Sequence, residues 1–364
     1  PYNTGAGYAM GIRAGVEMTS FEMRYIALRT KDAIAPTGTI ALGVGAPQMN
    51  SKGEKFMAER YAHLGGDGAP TPLRAYGPIM ELKEGRGPVY LDTRHIDDEQ
   101  VKKLKSAFLD MYPSQVLYWL SNGIDPSKEP VEVQTTEPYI VGGHCQAGYW
   151  VDNDRRTTVE GLYAAGDVAG GAPFKFVSGC WAEGVLAARA AGKYVEQVEA
   201  LEPDPEELDA EQQRVFGPLQ DHIDHINGVR AADMESRLQK IMEEYAGGAS
   251  RYYEMNEAQL LMARKHLGRL PAQIPAMVAE DLHDLMKVHE ILDRVDVARV
   301  LVEHMLYRKE TRWPSYHTRM DYPERDDKNW LKFVNSVHDP ATGKIEIKER
   351  PYEKIVPGDP NKPR

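Results

Sequence analysis

The residues best suited to chemistry lie in one stretch, residues 157–192, TTVEGLYAAGDVAGGAPFKFVSGCWAEGVLAARAAG. A short apolar run from Gly161 ends in Gly166-Asp167, which sets a carboxylate at the carboxyl end of an expected buried strand, where open α/β sheets bind ligands. An acid there accepts hydrogen bonds from sugar-type hydroxyls. Gly170 and Gly171 let backbone approach a ligand closely. Ser178-Gly179 opens a small-residue helix whose first N–H groups can face an anion or an electron-rich ring. An ordinary strand–loop–helix unit, with Asp167 as a helix cap or loop acid, reads from the same residues.

Other chemistry-bearing side chains are scattered. His144 follows Gly142-Gly143, where backbone can come close to a ring, and a histidine satisfied inside the structure reads equally well. Arg74, in Pro72-Leu73-Arg74, and Arg86, in Glu84-Gly85-Arg86-Gly87, carry always-protonated forks that suit a sulfate or carboxylate. Arg86 is equally placed to brace an interface through an ion pair. Phe176 stands beside the glycine loop, either as a core aromatic or as a ring facing the site. The two cysteines, Cys145 and Cys180, show no CxxC spacing, which argues against a disulfide framework and against an iron–sulfur cluster held by this chain.

These residues need elements to position them. With 364 residues the chain can bury a large core in two or three domains. Its 44 Lys+Arg against 55 Asp+Glu give a net charge of −11, so nucleic-acid binding has no electrostatic support. The sequence holds no run of about 18 apolar residues and opens on no basic–apolar leader, so the expectation is a cytoplasmic protein without direct membrane insertion. Residues 7–18 read as a helix packed closely on a neighbour. Between 22 and 130, β-like runs at 22–28, 39–44 and 89–92 alternate with Gly/Pro breaks and an amphipathic stretch at 98–110. Residues 131–151 return to β character. A linker at 201–205 leads into an acidic helix start at Asp204. Helical spacing follows at 234–245, 256–266, 278–290 and 295–309, with Met255, Met262, Met277, Met286 and Met305 expected as core filler.

The pattern resembles a known family. GLYAAGD, the Gly/Ser loop and the Ala/Gly-rich helix resemble the C-terminal FAD-binding segment of the succinate dehydrogenase/fumarate reductase flavoprotein superfamily. The variant KFVSGCWAEG is most similar to the α subunits of adenylylsulfate (APS) reductases. Matching pieces are TGAGYAMGIRAGVEM (4–18), NSKGEKFMAERY (50–61), EGRGPVYLDTRH (84–95), TEPYIVGGH (136–144) and ETRWPSYHTRMDYPERDDKNWLKFVNS (310–336). The resemblance implies fold class α/β plus α. It would comprise the C-terminal part of an FAD-binding Rossmann-like domain (1–21 and 131–200, lacking the N-terminal GxGxxG unit), an α+β capping domain (22–130) and a helical bundle with an extended tail (201–364). The absent GxGxxG turn points to a fragment, or to a separate N-terminal FAD-binding chain.

What the resemblance implies for chemistry is specific. FAD is the cofactor: Asp167 accepts from a ribityl or ribose hydroxyl, and the backbone of Gly143, Gly166, Ser178 and Gly179 faces the flavin, beside Lys175 and Phe176. Arg74 and His144, with Arg86 behind them, hold the sulfate end of a small-molecule substrate or transfer a proton. The reaction would interconvert adenylylsulfate with AMP and sulfite, with iron–sulfur clusters only on a ferredoxin-like partner subunit. Dicarboxylate enzymes of the superfamily carry a histidine where this chain has Pro138 and an arginine where it has Lys175. Trp181 in SGCWAEG and the short connection at 152–156 depart from APS reductases too. A fumarate reductase, succinate dehydrogenase or aspartate-oxidase type and a non-catalytic interaction subunit are the alternatives.

Overall fold

The computed structural model describes residues 4–33, 38–140, 142–172, 174–219 and 227–352. The N-terminal part contains α1 (Ala6–Arg13), β1 (Met18–Thr19), β2 (Leu28–Thr30), β3 (Gln48–Met49), α2 (Phe56–Arg60) and α3 (Thr71–Lys83). Then come β4 (Val89–Leu91), α4 (Asp98–Met111), α5 (Pro113–Asn122), β5 (Val131–Thr135), α6 (Gly142–Cys145), β6 (Gly148–Tyr149) and α7 (Phe176–Val195). The remainder holds α8 (Pro205–Phe216), α9 (Ala231–Tyr245), β7 (Glu254–Met255), α10 (Glu257–Leu267), α11 (Leu282–Tyr307), β8 (Thr318–Arg319), α12 (Asp327–Trp330), β9 (Lys332–His338) and β10 (Ile345–Pro351).

Two apolar cores organise these elements. One gathers Tyr8 and Ile12 of α1, Phe21, Tyr149 of β6 and the inner faces of α9, α10 and α11. The other lies under the antiparallel sheet β2-β5-β4-β3 and takes Leu104 and Phe108 of α4 with Trp119 of α5. A second antiparallel sheet, β10-β9-β1-β6, carries the chain's tail back to its beginning, with Met18 of β1 opposite both Tyr149 and Ser336. Helix α1 presses so closely on β6 that a Cβ on Gly11 would collide with the Tyr149 ring.

Local signals explain the helix starts. Asp97 accepts the Gln100 N–H at 2.8 Å while Gln100 returns the bond, a capping box, and α4 then buries Leu104 and Phe108 four residues apart. Asn256, Asp281 and Asp204 cap α10, α11 and α8 more simply, each side chain accepting one backbone N–H of the first turn.

Several expectations are corrected. The run 161–167 is not a strand: Tyr163 makes one bridge to Arg156, and Gly166–Val168 turns into a 3-10 helix, because no neighbouring strand among the described residues completes a ladder. Among the described residues there is no multi-stranded parallel sheet of the Rossmann kind, only the two-residue parallel pair β7·β8 and two isolated parallel bridges, Tyr149 to Ala169 and Val229 to Met277. Gly38–Val44 is 3-10 helix rather than strand. The two helices expected at 278–309 are one, the 26-residue α11. Met255, Met277 and Met305 are buried, whereas Met262 and Met286 face solvent. No helix among the described residues is long and apolar enough to cross a membrane.

A buried polar network joins the parts. Glu22 accepts from Arg308 Nε at 2.7 Å and lies 3.1 Å from His304 Nδ1, whose Nε2 stands 2.8 Å from Ser336 Oγ. Burial would raise the Glu22 carboxyl, but Arg308 and His304 outweigh it and hold it near 2 instead of 4.5. Burial pushes His317 from 6.5 down to about 3.

Both shifts leave the unfolded chain binding more protons than the folded one, so stability falls as pH falls. Loss is expected to begin below 6.5 through His317 and to steepen below 4.5 through Glu22. Melting midpoints followed by circular dichroism across that range check this. A His317→Gln variant should flatten the upper limb only, and an unchanged midpoint between 6.5 and 4.5 in the parent would contradict it.

Candidate functional site

The loop between β6 and α7 is laid along its own backbone first. Gly170 N–H donates to Tyr149 O and Gly171 N–H to Gln146 O, both at 2.8 Å. A Cβ on Gly148 would strike Val168 O and Gly170 N. The small residues here therefore serve close packing of chain on chain; Gly171, with φ of +84°, faces open space.

A clamp then fixes the turn that carries Asp167. Lys175 is 7% exposed, and its ammonium donates to Gly166 O at 2.9 Å and Ala169 O at 2.5 Å while pairing with Glu183 at 3.1 Å. The same Glu183 carboxylate, buried on α7, accepts the Gly166 N–H at 2.9 Å and pairs with Arg155 at 3.1 Å. Every donor of the Lys175 ammonium is spent inside the protein. The expected flavin-side lysine is thus a brace for the loop.

Asp167 itself is exposed, at the tip of the 3-10 turn. Tyr8 OH donates to its backbone carbonyl at 2.5 Å, and Cys180 Sγ lies 3.9 Å from Oδ1. Helix α7 starts at Phe176, two residues before the expected Ser178, and no side chain caps its N-terminus. Ser178 and Gly179 fall in its first turn, and a Cβ on Gly179 would come within 2.9 Å of the Lys175 Cβ.

His144 ends up at the centre of an aromatic cluster. It sits on α6, after Gly143, with its ring 4.7 Å from Tyr25 and 5.2 Å, edge on, from Phe176. Burial lowers its pKa, with the Asp167 charge pulling the other way, so the ring is neutral at physiological pH. Its Nδ1 is buried with no hydrogen-bond partner among the described residues. Tyr316 packs against Tyr25 at 5.9 Å and Trp313 at 6.2 Å, and Phe174 bridges Trp313 and Phe176. Burial raises the Tyr25 and Tyr316 hydroxyls, and the Arg74 charge acts to lower both.

The structure therefore gathers Arg74, His144, Asp167 and Phe176, and it does not bring Arg86 to them. Arg74 Nη2 reaches Thr71 Oγ1 at 3.3 Å, and its buried Nε has no partner among the described residues. Arg86 donates twice to the buried Glu81, at 2.6 and 2.8 Å, and pairs with Glu84, so its fork is filled. Sequence reasoning missed Tyr25, Phe174, Trp313, Tyr316 and Glu183. The signal for Trp313 and Tyr316 was the motif RWPSY. Its backbone is unusual, with φ of +54° at Trp313 and +76° at Ser315, and Phe174 and Phe176 are also positive, at +61° and +50°. Such strain, roughly 1–3 kcal/mol per residue, concentrates at functional sites.

This fold and site define a flavoprotein. The family described as FAD binding domain matches residues 1–179, and that described as fumarate reductase flavoprotein C-term matches residues 235–359. The chain belongs to the succinate dehydrogenase/fumarate reductase flavoprotein superfamily. The adenylylsulfate reductase subunit alpha of Megalodesulfovibrio gigas is 29% identical over 98% of this chain and 62% of its own length. The solved adenylylsulfate reductase of Archaeoglobus fulgidus aligns with a TM-score of 0.89 and 35% identity, over 97% of this chain and 62% of that one. A structure of adenosine-5-phosphosulfate reductase in complex with sulfite, as a covalent adduct, gives the same values. The quinol fumarate reductase FrdA of E. coli, at 21% identity and TM-score 0.78 over 97% of this chain and 63% of that one, shares the fold. The chain spans about three fifths of the length of the relatives it matches.

Removing the Glu183 carboxylate leaves the buried Lys175 ammonium and the Gly166 N–H without it. Glu183→Ala is expected to lower unfolding free energy by roughly 3–5 kcal/mol, read from the denaturant midpoint. A loss within roughly 0.5 kcal/mol, the usual range of surface changes, would show that the clamp is dispensable.

Proposed function

We propose that this chain provides the substrate-facing part of an FAD-dependent, adenylylsulfate-reductase-type enzyme that interconverts adenylylsulfate with AMP and sulfite. The observation that carries the reading is the convergence of Arg74, neutral His144 and Asp167 on one aromatic cluster while Lys175 is withdrawn into the loop. The orphaned, buried His144 Nδ1 and Arg74 Nε, and the uncapped start of α7 beside Asp167, fit a bound flavin and an anionic substrate.

In this reading Asp167 accepts from a ribityl or ribose hydroxyl. The backbone of Gly143 and Gly166 and the first turn of α7, with Ser178 and Gly179, line the flavin, and the helix dipole favours negative charge there. Bound FAD would supply the two-electron chemistry. In the balanced reaction, adenylylsulfate and two electrons give AMP and sulfite. The bond from sulfur to the bridging oxygen breaks, that oxygen leaves on AMP with the bonding pair, and sulfur takes up the two added electrons as it passes from +6 to +4. Arg74 holds the sulfate end and offsets the added negative charge, and His144 donates a hydrogen bond to the same group. Phe176 and its neighbours exclude water and present flat apolar faces to rings.

The proposed organisation places the FAD-binding part at 1–21 and 131–200, a capping domain at 22–130 and a helical domain at 201–364. A GxGxxG-bearing FAD-binding unit outside this sequence and a ferredoxin-like iron–sulfur subunit as electron donor complete it. The dicarboxylate reading is weaker, because Lys175 spends its charge on the backbone and Pro138 has no proton to give.

The test is the visible spectrum of the chain purified with and without its FAD-binding unit, followed by sulfite titration. Flavin absorbance that sulfite bleaches is the expected result. Absence of flavin in both preparations sinks the enzyme reading, and flavin indifferent to sulfite returns the dicarboxylate alternative. In the assembled enzyme, Arg74→Ala should lower kcat by roughly 10²–10³-fold with flavin content unchanged.

A further inference from the structure

A cleft of about 250 Å³ opens where the turn between β9 and β10 meets α10 and α11. Its residues belong to none of the assignments above. Three cations from three elements line it: Arg264 of α10, Arg299 of α11 and Lys344 of the hairpin turn, with Glu303 as the one acid. Three positive charges against one negative give a local excess of +2, in a chain whose net charge is −11.

These charges are only partly spent. Arg299 Nη2 donates to Gly343 O at 3.1 Å, which holds the guanidinium against the hairpin and leaves its other N–H groups over. Arg264 stands 3.6 Å from Glu303, beyond hydrogen-bond distance. Neither Arg299 nor Lys344 has a carboxylate in ion-pair range among the described residues. Val302 and Ile345 supply apolar wall, and a drier wall strengthens attraction between unlike charges. The C-terminal end of α10 opposes an anion here through its dipole, an effect that Arg264 and Lys265 in its last turn already meet.

We propose that this cleft binds a doubly charged tetrahedral oxyanion of the sulfate or phosphate type. Guanidinium forks match two oxygens of such a group at once, and an ammonium adds a third contact as a point charge. The volume lies below the usual 300–1,000 Å³ or so of sites for larger ligands, so the anion carries at most a small organic group. Its binding ties the hairpin to α10 and α11. The site stands independently of the flavin reading.

The test compares the parent chain with Lys344→Glu and with Arg264→Glu, two exposed changes. Melting midpoints are measured in sodium sulfate and in sodium chloride of equal ionic strength. Sulfate stabilises any protein by exclusion from its surface, so the readout is the difference between chains. The parent should show an added, saturating rise in sulfate and in phosphate, and calorimetric titration should give at least tenfold weaker binding for either variant. Methyl phosphate as competitor separates the two sources: displacement of sulfate identifies an esterified anion, and its failure identifies the free one. A rise that is equal and linear in all three chains overturns the proposal. Flavin uptake, measured on the same samples, should be the same for all three, so failure here leaves the functional reading untouched.

Discussion

Glu22 has no access to solvent, yet its carboxylate stays ionised because Arg308 donates to it at 2.7 Å and His304 lies 3.1 Å away. The residue sits between β1 and β2, while its partners come from the end of α11 and just beyond. Arg308 extends the contact to Trp330 O and Lys332 O, and His304 extends it to Ser336 of β9. A buried ion pair of this kind is weak evidence for net stability, since desolvation consumes much of the attraction. Its consequence is specification: any arrangement that separates these segments strands a charge in an apolar interior.

The aromatic cluster depends on that arrangement. Glu310, also fully buried, takes Arg308 at 2.8 Å, Arg312 at 2.5 Å and the Asp326 N–H at 2.9 Å. Residue 312 is thereby fixed directly before Trp313, and Ser315 hydrogen-bonds Pro72 O at the start of the helix that carries Arg74. The left-handed backbone at Trp313 and Ser315 is an unfavourable local choice that persists because both flanks are held. The segment around Trp313, the start of α3 and the N-terminal segment thus meet at one place, and each contributes one wall of the site.

What the sequence discloses follows how local the cause is. The capping box at Asp97 and the caps at Asp204 and Asn256 are written within four residues of each other and are readable directly. The run 161–167 has the composition of a strand, but a strand exists only with a neighbour, and here Gly166 is turned by Glu183, seventeen residues on. Glu183 reads as a helix-surface acid until the fold brings Lys175 and Arg155 to it. Asp167, His144 and Arg74 stand out by residue type and resemblance, and the structure sets them around one aromatic cluster. Tyr25 and Tyr316 carry no spacing signal, being nearly three hundred residues apart by sequence and 5.9 Å apart by ring.

The position of Lys175 decides more than its charge does. An arginine there would present a rigid fork too wide to satisfy two carbonyls and a carboxylate in so small a turn, and part of it would remain for a ligand. A lysine delivers three donors from one atom, and Gly166 O, Ala169 O and Glu183 take all three. The cation beside the 166–171 loop is therefore spent within the protein, and in the proposed function the task of meeting an anion passes to Arg74. Between Arg74 and the loop lie flat rings and a neutral imidazole. Under the proposed function, this arrangement favours a substrate that carries its charge at one end and a planar ring at the other over a short dicarboxylate that needs a cation at both ends.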